Sequence, residues 1–428
     1  MIPDDLPILL RRRTATTIGA VILGLVALAF TWTADQAAKL FELMVAKAPY
    51  APLVVTPLGL ALLAWLTRRF APAARGSGIP QISAGARDPR HAVATGLISM
   101  KVAVFKFAAT VGAILVGASV GREGPTVQIS AAIMAFMHRL LKIDLSPAVI
   151  IAGGAAGVSA AFNTPLAGIA FAIEELAASY HQRLALLAMA AVMISGLVSL
   201  GIAGDYIYFG SVHEALPLGA ALLIAPLAGV IGGITGGLFS RLILAFGATA
   251  FAPIAAMRRR PIRLALVCGF LVAILGVLSQ GATWGTGYEV ARRLVESHAE
   301  PVWFGPAKFL SSLITVLSGV PGGIFAPSLA TGAGVGNLLA LAFPDQPLGA
   351  IVLLGMIGYF VGVVRAPLTA VIIISEMSDS RAMVLPLLAT AIIADGISAL
   401  ICREKLYHAL AKPFLAPGNR TDGDEVKA

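Results

Sequence analysis

Charged residues are scarce in this sequence, and their scarcity excludes a soluble globular protein. Asp, Glu, Lys and Arg make up only 12% of the 428 residues, whereas they make up about a quarter of an average soluble domain. Cysteine is scarce too, since Cys268 and Cys402 are the two in the chain, too few for a disulfide framework or a cysteine-rich cluster. The six histidines never pair at helical spacing, so we expect no metal and no cofactor.

Long apolar runs take the place of the missing charge. Hydrophobic residues make up 58% of the chain, and the mean hydropathy is +0.89. Six windows are long enough, or nearly so, to span a hydrocarbon core of about 30 Å. They are Thr17–Trp32, Leu184–Ala203, Leu216–Gly237, Leu264–Leu278, Leu348–Glu376 and Leu385–Ile401. None shows the apolar–polar alternation of a barrel strand, so the sequence predicts an all-α polytopic membrane protein.

The net charge of +9 comes from basic residues in the short breaks between the apolar windows. Because Lys and Arg are enriched in the cytoplasmic loops of membrane proteins, the Arg11–Arg13 cluster predicts a cytoplasmic N-terminus. We therefore expect membrane lipid, and no nucleic acid, among the partners of this chain.

Glycine and proline, with 45 and 25 residues, punctuate the apolar sequence in five clusters. Proline favours the first turn of a helix, and glycine permits irregular backbone just before it. Each cluster therefore predicts a helix that starts at membrane depth, where its free N–H groups cannot face lipid. The five starts must face one another or a water-filled cavity. The clusters are G-S-G-I-P (76–80), G-R-E-G-P (121–125), F-N-T-P-L-A-G (162–168), G-G-I-F-A-P (322–327) and V-R-A-P-L-T (364–369).

A constant offset of 202 residues reveals an internal duplication. Three pairs share this offset: Pro125 with Pro327, Pro165 with Pro367, and Glu174 with Glu376. Broken helices at matching positions of two halves point to a transporter binding site. We assign residues 13–205 to a first membrane repeat and 206–412 to a second. Residues 1–12 are expected to form a cytoplasmic segment and 413–428 a disordered cytoplasmic tail, with no soluble regulatory domain.

Helix N-termini that meet inside a protein make an anion site, because each offers free N–H groups and the positive end of its dipole, about half a charge. The first cluster adds the Ser77 hydroxyl, and the fourth adds the amides of Ile324 and Phe325. Glu123 is itself an anion that can occupy such amides and leave them when protonated, so it is a candidate gate and proton carrier. The alternative for Glu123 is a local ion pair with Arg122, although adjacent helical residues point apart.

Other polar residues in apolar surroundings have more than one interpretation. Glu174 and Glu175 precede Tyr180 and His181 near the end of a segment, where acids can simply be solvated at the membrane interface. The repeat favours a specific role for Glu174 alone. Lys106 could lie near the pathway or snorkel to a surface. Asp395 receives no role from the sequence.

Four of these motifs, in this order and spacing, resemble the signature of the CLC family of chloride channels and proton-coupled chloride transporters. They are G-S-G-I-P, G-R-E-G-P-T-V-Q, F-N-T-P-L-A-G-I-A-F-A-I-E-E and G-G-I-F-A-P, and the resemblance extends over about residues 12–412. It implies two inverted-topology repeats of tilted and broken helices, and a homodimer with one anion pathway per subunit. It also implies a transporter rather than an enzyme, in a bacterial inner membrane, with both termini in the cytoplasm.

By motif position, the resemblance assigns a role to each candidate site residue. Glu123 corresponds to the external gating glutamate, and Glu175 to the glutamate on the intracellular proton route. The implied anion-binding residues are Ser77, Gly78, Ile324, Phe325 and Tyr407. The implied supporting residues are Arg122, Gly124, Pro125, Lys106 and Glu174.

Acids at both 123 and 175 favour a secondary active antiporter that moves two chloride ions per proton. The alternative is a passive voltage- or pH-gated chloride channel of the same fold. Serine at 77 resembles chloride-preferring members, and Gln81 departs from the glutamate common after G-S-G-I-P. Two further alternatives are an intramembrane hydrolase, for which His138 lacks an evident partner, and a cation-coupled transporter of organic acids, because half-helix N-termini also suit carboxylates.

Overall fold

The computed structural model of the chain describes residues 8–176, 182–204, 216–378 and 380–416. Tyr180, His181 and the tail from residue 417 onward, for which the sequence supplied interpretations, lie outside these ranges. Every regular element in the described ranges is a helix.

The helices fall into two series of similar order. Those of the first half are α1 (Ile8–Lys47), α2 (Pro52–Phe70), α3 (Ile79–Arg87), α4 (Pro89–Ala94), α5 (Met100–Leu115), α6 (Glu123–Leu140), α7 (Pro147–Phe162), α8 (Pro165–Phe171, continued by a π turn at Ala172–Leu176) and α9 (Gln182–Ala203). Those of the second half are α10 (Leu218–Ala248), α11 (Ala252–Arg258), α12 (Pro261–Leu278), α13 (Tyr288–Val295), α14 (Phe304–Leu317), α15 (Phe325–Ala340), α16 (Leu348–Val364), α17 (Pro367–Ser378), α18 (Val384–Ile401) and α19 (Leu406–Ala411).

Six helices of the described ranges have the length and apolar composition needed to cross a membrane: α1, α2, α9, α10, α12 and α18. Their outer faces carry large apolar side chains, such as Leu222 on α10 and Leu400 on α18, which are 71% and 81% exposed. Such faces suit lipid rather than water. The prediction of an all-α polytopic membrane protein is confirmed.

The structure adds two details to the predicted spans. The window Leu348–Glu376 is not one helix, because Arg365 adopts a left-handed backbone (φ 59°) and Pro367 then starts a new helix, α17. The window list also omits α2, whose apolar sequence contains Pro57 and ends in Arg68 and Arg69.

One fully enclosed helix lies at the centre of each half. Every residue of α7 from Val149 to Phe162 is buried, as is every residue of α16 from Gly349 to Val364. Glycines bring each of these helices against its neighbour: a Cβ on Gly153 would lie 2.8 Å from the Cα of Ala131 on α6. Gly355, at the matching position of α16, approaches α15 in the same way. Such small-residue contacts replace the hydrophobic effect as the basis of packing between membrane helices.

All five predicted helix starts are confirmed. Helices α3, α6, α8, α15 and α17 begin within their glycine–proline clusters. Both short helices that follow the enclosed ones, α8 and α17, come after a left-handed residue, Asn163 or Arg365. Asn adopts this conformation more readily than most residues, and Arg only uncommonly. These starts bring polar backbone into the interior of the molecule.

Candidate functional site

Two glycine-rich loops, one from each half, hold the starts of α6 and α15 together. The N–H of Gly121 donates to the carbonyl of Gly323 at 2.8 Å, and the N–H of Gly323 returns a bond to the carbonyl of Gly121 at 2.7 Å. A Cβ on Gly121 would lie 3.2 Å from Cδ of Pro327, and one on Gly323 would lie 3.1 Å from Cδ of Pro125, so both loops need glycine. The two helices therefore begin side by side in the protein interior.

Glu123 lies at this junction, as the first residue of α6, and is 0% exposed. Its Oε1 accepts a hydrogen bond from the Tyr288 hydroxyl at 3.0 Å, and its Oε2 accepts one from the N–H of Ala326 at 3.4 Å. Ala326 belongs to the first turn of α15, whose N–H groups have no acceptor within their own helix. A carboxylate of the first half thus occupies a donor set of the second half.

Arg122 adds positive charge next to Glu123. Its guanidinium also reaches α1, where Nη1 donates to Oδ1 of Asp35 at 2.5 Å and to the carbonyl of Thr31 at 3.2 Å. The Arg122 side chain is 4% exposed. Arg122 therefore fixes the loop before α6 to the longest helix of the first half.

Ser77 lies in the short loop before α3. Its Oγ accepts a hydrogen bond from the N–H of Ile79 at 3.3 Å, and Gly78 has the left-handed backbone (φ 107°) that this turn requires. Gly124 of α6 faces the loop so closely that a Cβ there would lie 3.2 Å from the Ser77 Oγ. The starts of α3 and α6 are therefore adjacent.

Lys106 of α5 holds the Ser77 loop in place. Its amino group is fully buried and donates to the carbonyls of Ala74 at 2.8 Å and Gly76 at 2.6 Å. The alternative that this lysine snorkels to a surface is wrong. Its amino group instead donates hydrogen bonds within the protein, to the backbone directly before Ser77.

Lys308 of α14 is the counterpart of Lys106 at the offset of 202, and sequence reasoning missed it. Its buried amino group donates to the carbonyls of Thr283 at 3.0 Å and Gly285 at 2.8 Å. These carbonyls belong to the loop before α13, which reads G-T-G-Y at 285–288 where the first half reads G-S-G-I at 76–79. The repeat register alone could have found Lys308.

Three of the predicted anion-binding residues line one cavity of about 330 Å³. Its walls include Ser77, Ile324 and Tyr407, together with Arg75, Gln81 and Phe414. The Tyr407 hydroxyl is fully buried and faces the Ser77 side chain, although no hydrogen bond between the two has regular geometry. Buried hydroxyls normally make a regular hydrogen bond, so this hydroxyl retains the capacity to bind another group.

The other two predicted anion-binding residues directly adjoin this cavity through the chain. Gly78 follows Ser77, and Phe325 follows Ile324 at the start of α15. The Phe325 ring packs edge-on against Phe360 at 5.0 Å and lies 6.0 Å from the Tyr407 ring. The amides of Ile324 and Phe325 precede the first hydrogen-bonded turn, so they can serve as anion donors.

Glu175 lies in the π turn that continues α8, and it is 2% exposed. Neither carboxylate oxygen has a hydrogen-bond partner in the part of the chain that the structure describes. Its charged neighbours are Lys405, Glu174 and Arg87. Tyr407 is an electrostatic neighbour of both Glu175 and Glu123.

Glu174 points away from this interior and caps a helix of the other half. Its Oε1 accepts from the N–H of Leu368 at 2.9 Å, and its Oε2 accepts from the N–H and the hydroxyl of Thr369, both at 2.6 Å. Glu376 does the same in return, accepting two N–H bonds at 3.2 and 3.4 Å from the first turn of α8. Each acid thus neutralises the positive end of a helix dipole across the boundary between the halves.

Asp395, whose role could not be predicted, accepts a hydrogen bond from Nε of Arg365 at 3.1 Å. Arg365 ends α16 in a left-handed conformation, and its Nη1 also donates to the carbonyl of Arg403 at 3.1 Å. The pair therefore stabilises the break between α16 and α17.

Broken helices from two halves that converge on buried donors and acids are the architecture of a membrane transport protein. The model of the voltage gated chloride channel family matches residues 59–399. The chain therefore belongs to this family, as its motifs predicted.

Relatives within this family align with nearly the whole chain. A protein of Citrobacter koseri named H(+)/Cl(-) exchange transporter ClcA is 33% identical over 94% of this chain and 88% of its own length. The protein of that name in Yersinia pseudotuberculosis is 32% identical over 94% of this chain and 87% of its own length. A crystal structure described as a slow cyanobacterial Cl⁻/H⁺ antiporter matches with a TM-score of 0.80 and 25% identity, covering 96% of this chain and 99% of that one.

Proposed function

We propose that this protein is a secondary active antiporter that exchanges chloride for protons, with two chloride ions moved for each proton. Glu123 is the observation that carries the proposal, because a carboxylate bound by the Tyr288 hydroxyl and an amide at the start of α15 occupies donors that also suit chloride. Chloride and the carboxylate compete for one donor set. The relatives named exchange transporters support the same function.

Chloride binds to the Ser77 and Tyr407 hydroxyls and to the amides of Ile324 and Phe325. The Tyr407 hydroxyl, which is buried next to Ser77 and makes no hydrogen bond of regular geometry among the described residues, supports this assignment. Partial charges from hydroxyls and helix starts hold an anion weakly enough that it can also leave. Gly78 and Gly124 give the Ser77 loop and the α6 start their close contact, and Lys106 keeps that loop rigid.

Glu123 is the external gate. As an ion it holds the donors at the start of α15 and blocks the path. As an acid it loses most of its attraction to those donors, swings out and releases the path to chloride. One group thereby couples the entry of a proton to the passage of chloride.

Glu175 carries protons between the cytoplasm and Glu123. It is buried, and its oxygens make no hydrogen bond within the described residues, so they are available to accept a proton. Glu174 supports it by fixing the same turn to α17. This chemistry needs neither a cofactor nor an enzymatic step.

The expected assembly is a homodimer in a bacterial inner membrane, with one anion pathway per subunit. Residues 13–205 and 206–412 form the two inverted-topology repeats, and the reciprocal caps of Glu174 and Glu376 support a two-fold relation between them. Leu166 and Leu368, at the starts of α8 and α17, are 58% and 46% exposed and offer an apolar face to a second subunit. The Arg11–Arg13 cluster supports cytoplasmic termini.

Proteoliposomes provide the test. A chloride gradient should drive protons uphill through the wild-type protein, and Glu123→Ala and Glu175→Ala should each abolish this pumping while chloride still passes. Glu296→Gln is the matched control, because Glu296 is an acid paired at the surface with Arg292. Pumping that survives in either alanine variant would contradict the assigned roles.

A passive chloride channel is the second candidate, since the family model that matches describes channels. The same assay separates the two, because a channel would pass chloride with no movement of protons.

A competition experiment tests the alternative of an organic-acid transporter. Organic anions at equal concentration should reduce chloride flux little if the site is a narrow halide site.

A further inference from the structure

The Glu123 carboxylate has two donors in the second half, besides the backbone N–H of Glu123 itself. The Tyr288 hydroxyl is the nearer one at 3.0 Å, and the Ala326 amide is at 3.4 Å. The Ala326 amide is a backbone group, so a side-chain substitution leaves it in place. The hydroxyl is the one donor of the two that a side-chain substitution can remove.

The loop before Tyr288 gives this hydroxyl a fixed position. Gly287 has a left-handed backbone (φ 82°), and a Cβ there would lie 2.8 Å from Cε of Lys308. The Lys308 amino group holds the carbonyl of Gly285, and Oγ1 of Thr286 accepts a hydrogen bond from the Tyr288 N–H at 3.4 Å. The backbone that carries the Tyr288 ring is therefore held in place by these contacts.

The first half has the same turn without the hydroxyl. Ile79 occupies the position of Tyr288, and its N–H donates to Oγ of Ser77 as the Tyr288 N–H does to Thr286. The turn itself thus does not require tyrosine. The contact with Glu123 explains why a tyrosine stands at this position.

We propose that Tyr288 is a latch that holds the ionised Glu123 side chain in the anion path and thereby sets the pH at which the path opens. This inference rests on the gating role proposed for Glu123. A hydroxyl that donates to a carboxylate stabilises the ionised form, and the protonated form accepts the bond only weakly. Tyr288 is a positioning residue, since it acts on chloride and protons through Glu123.

The other charged or titratable groups around Glu123 are held independently of Tyr288. Arg122, on the same turn, bonds to Asp35 of α1. Lys106 of α5 and Lys308 of α14 donate to backbone carbonyls. Tyr407 of α19 lies on the side of Ser77. A change in pH dependence after removal of the Tyr288 hydroxyl therefore reports on the latch.

Tyr288→Phe tests the proposal, with chloride flux and proton coupling measured in proteoliposomes across the acid, neutral and alkaline range. At neutral and alkaline pH, where the latch closes the path, the variant should carry about tenfold more chloride than wild type, the order expected for a hydrogen bond to a charged group. Its flux at acid pH and its chloride-to-proton ratio should remain those of wild type. Tyr359→Phe is the control, because this buried hydroxyl of α16 makes no bond to Glu123.

A pH profile of Tyr288→Phe that coincides with those of wild type and Tyr359→Phe would overturn the latch. A second comparison uses the background Glu123→Gln, in which Tyr288→Phe should change nothing further. An equal gain in flux in that background would also overturn the proposal, because the hydroxyl would then act elsewhere. Loss of proton coupling in wild type would count against the proposed exchange alone, since the latch is read from the pH dependence of chloride flux.

Discussion

Residues 121–125 and 323–327 form matching loops at the starts of α6 and α15, yet the side chains at their centres differ in kind. Glu123 of the first loop corresponds to Phe325 of the second. Gly121 matches Gly323 and Pro125 matches Pro327, and the two glycines bond to each other, whereas Gly124 corresponds to Ala326. Duplication therefore repeats the helix start, while one copy alone carries the acid.

The inner ends of the two short helices, α8 and α17, show the same division. Glu174 and Glu376 match and cap each other's helix, but the next residue is Glu175 in the first half and Met377 in the second, both buried. The first half forms a π turn here, whereas α17 continues as a regular helix to Ser378. In the proposed mechanism, the repeated scaffold supplies backbone donors for the anion, and the differences between the copies supply the protonatable groups.

Replacing Glu175 by its counterpart gives the largest expected effect. Glu175→Met should abolish proton pumping completely and leave chloride flux through the site, because methionine fills the buried position but cannot bind a proton. Proton and chloride fluxes measured together in proteoliposomes provide the test. Persistent coupling in this variant would show that the difference between positions 175 and 377 has no role in proton transfer.

The buried lysines are the next comparison. Lys106→Met and Lys308→Met each remove at least two hydrogen bonds to backbone carbonyls, so each should lower the free energy of unfolding by roughly 2–4 kcal/mol. Thermal unfolding in detergent measures this loss. Only Lys106→Met should also raise the chloride concentration at half-maximal flux, because only its loop contains Ser77. Equal effects of both variants on chloride affinity would contradict the assignment of that site to the first loop.

The paired glycines should respond differently to alanine. A Cβ on Gly121 would lie within contact distance of the Glu123 Oε2, so Gly121→Ala should displace the carboxylate and raise chloride flux at neutral pH. A Cβ on Gly323 would lie 3.0 Å from the Gly121 carbonyl, so Gly323→Ala should strain the backbone at a cost of about 1–3 kcal/mol without opening the path. Flux at neutral pH and thermal stability, measured on both variants, separate these outcomes. A rise in flux in Gly323→Ala alone would reverse the comparison.

The reciprocal caps should give the smallest and most equal effects. Glu174→Gln and Glu376→Gln each remove a charge from a helix start and should lower the free energy of unfolding by about 0.5–1 kcal/mol. The double variant should lose less than the sum, because both caps join the same pair of helices. A shift confined to one variant in thermal unfolding would show that the two contacts are not equivalent in strength.

Local sequence signals predicted the helix starts well. Glycine and proline determine backbone conformation over a few residues, so α3, α6, α8, α15 and α17 could be located from their clusters. The offset of 202 also relates Lys106 to Lys308. Contacts between distant segments, such as Glu174 with α17, follow from packing and could not be predicted from either segment alone.

Tyr288 marks the limit of the repeat register. Its G-T-G-Y loop lies 209 residues after the G-S-G-I loop rather than 202, so a fixed offset does not align the two. The π turn at Ala172–Leu176 could not be predicted from the sequence either, because its residues are compatible with an α-helix. Tyr288 contacts Glu123, and the π turn contains Glu175. Both features therefore lie at the acids, where the two halves differ, and not in the backbone that the halves share.

A reversal-potential measurement on the wild-type protein, in reconstituted membranes with separate chloride and proton gradients, tests the central claim most directly. The account predicts a potential that shifts with both gradients, in the ratio of two chloride ions to one proton. A potential that follows the chloride gradient alone would contradict it and would identify the protein as a channel.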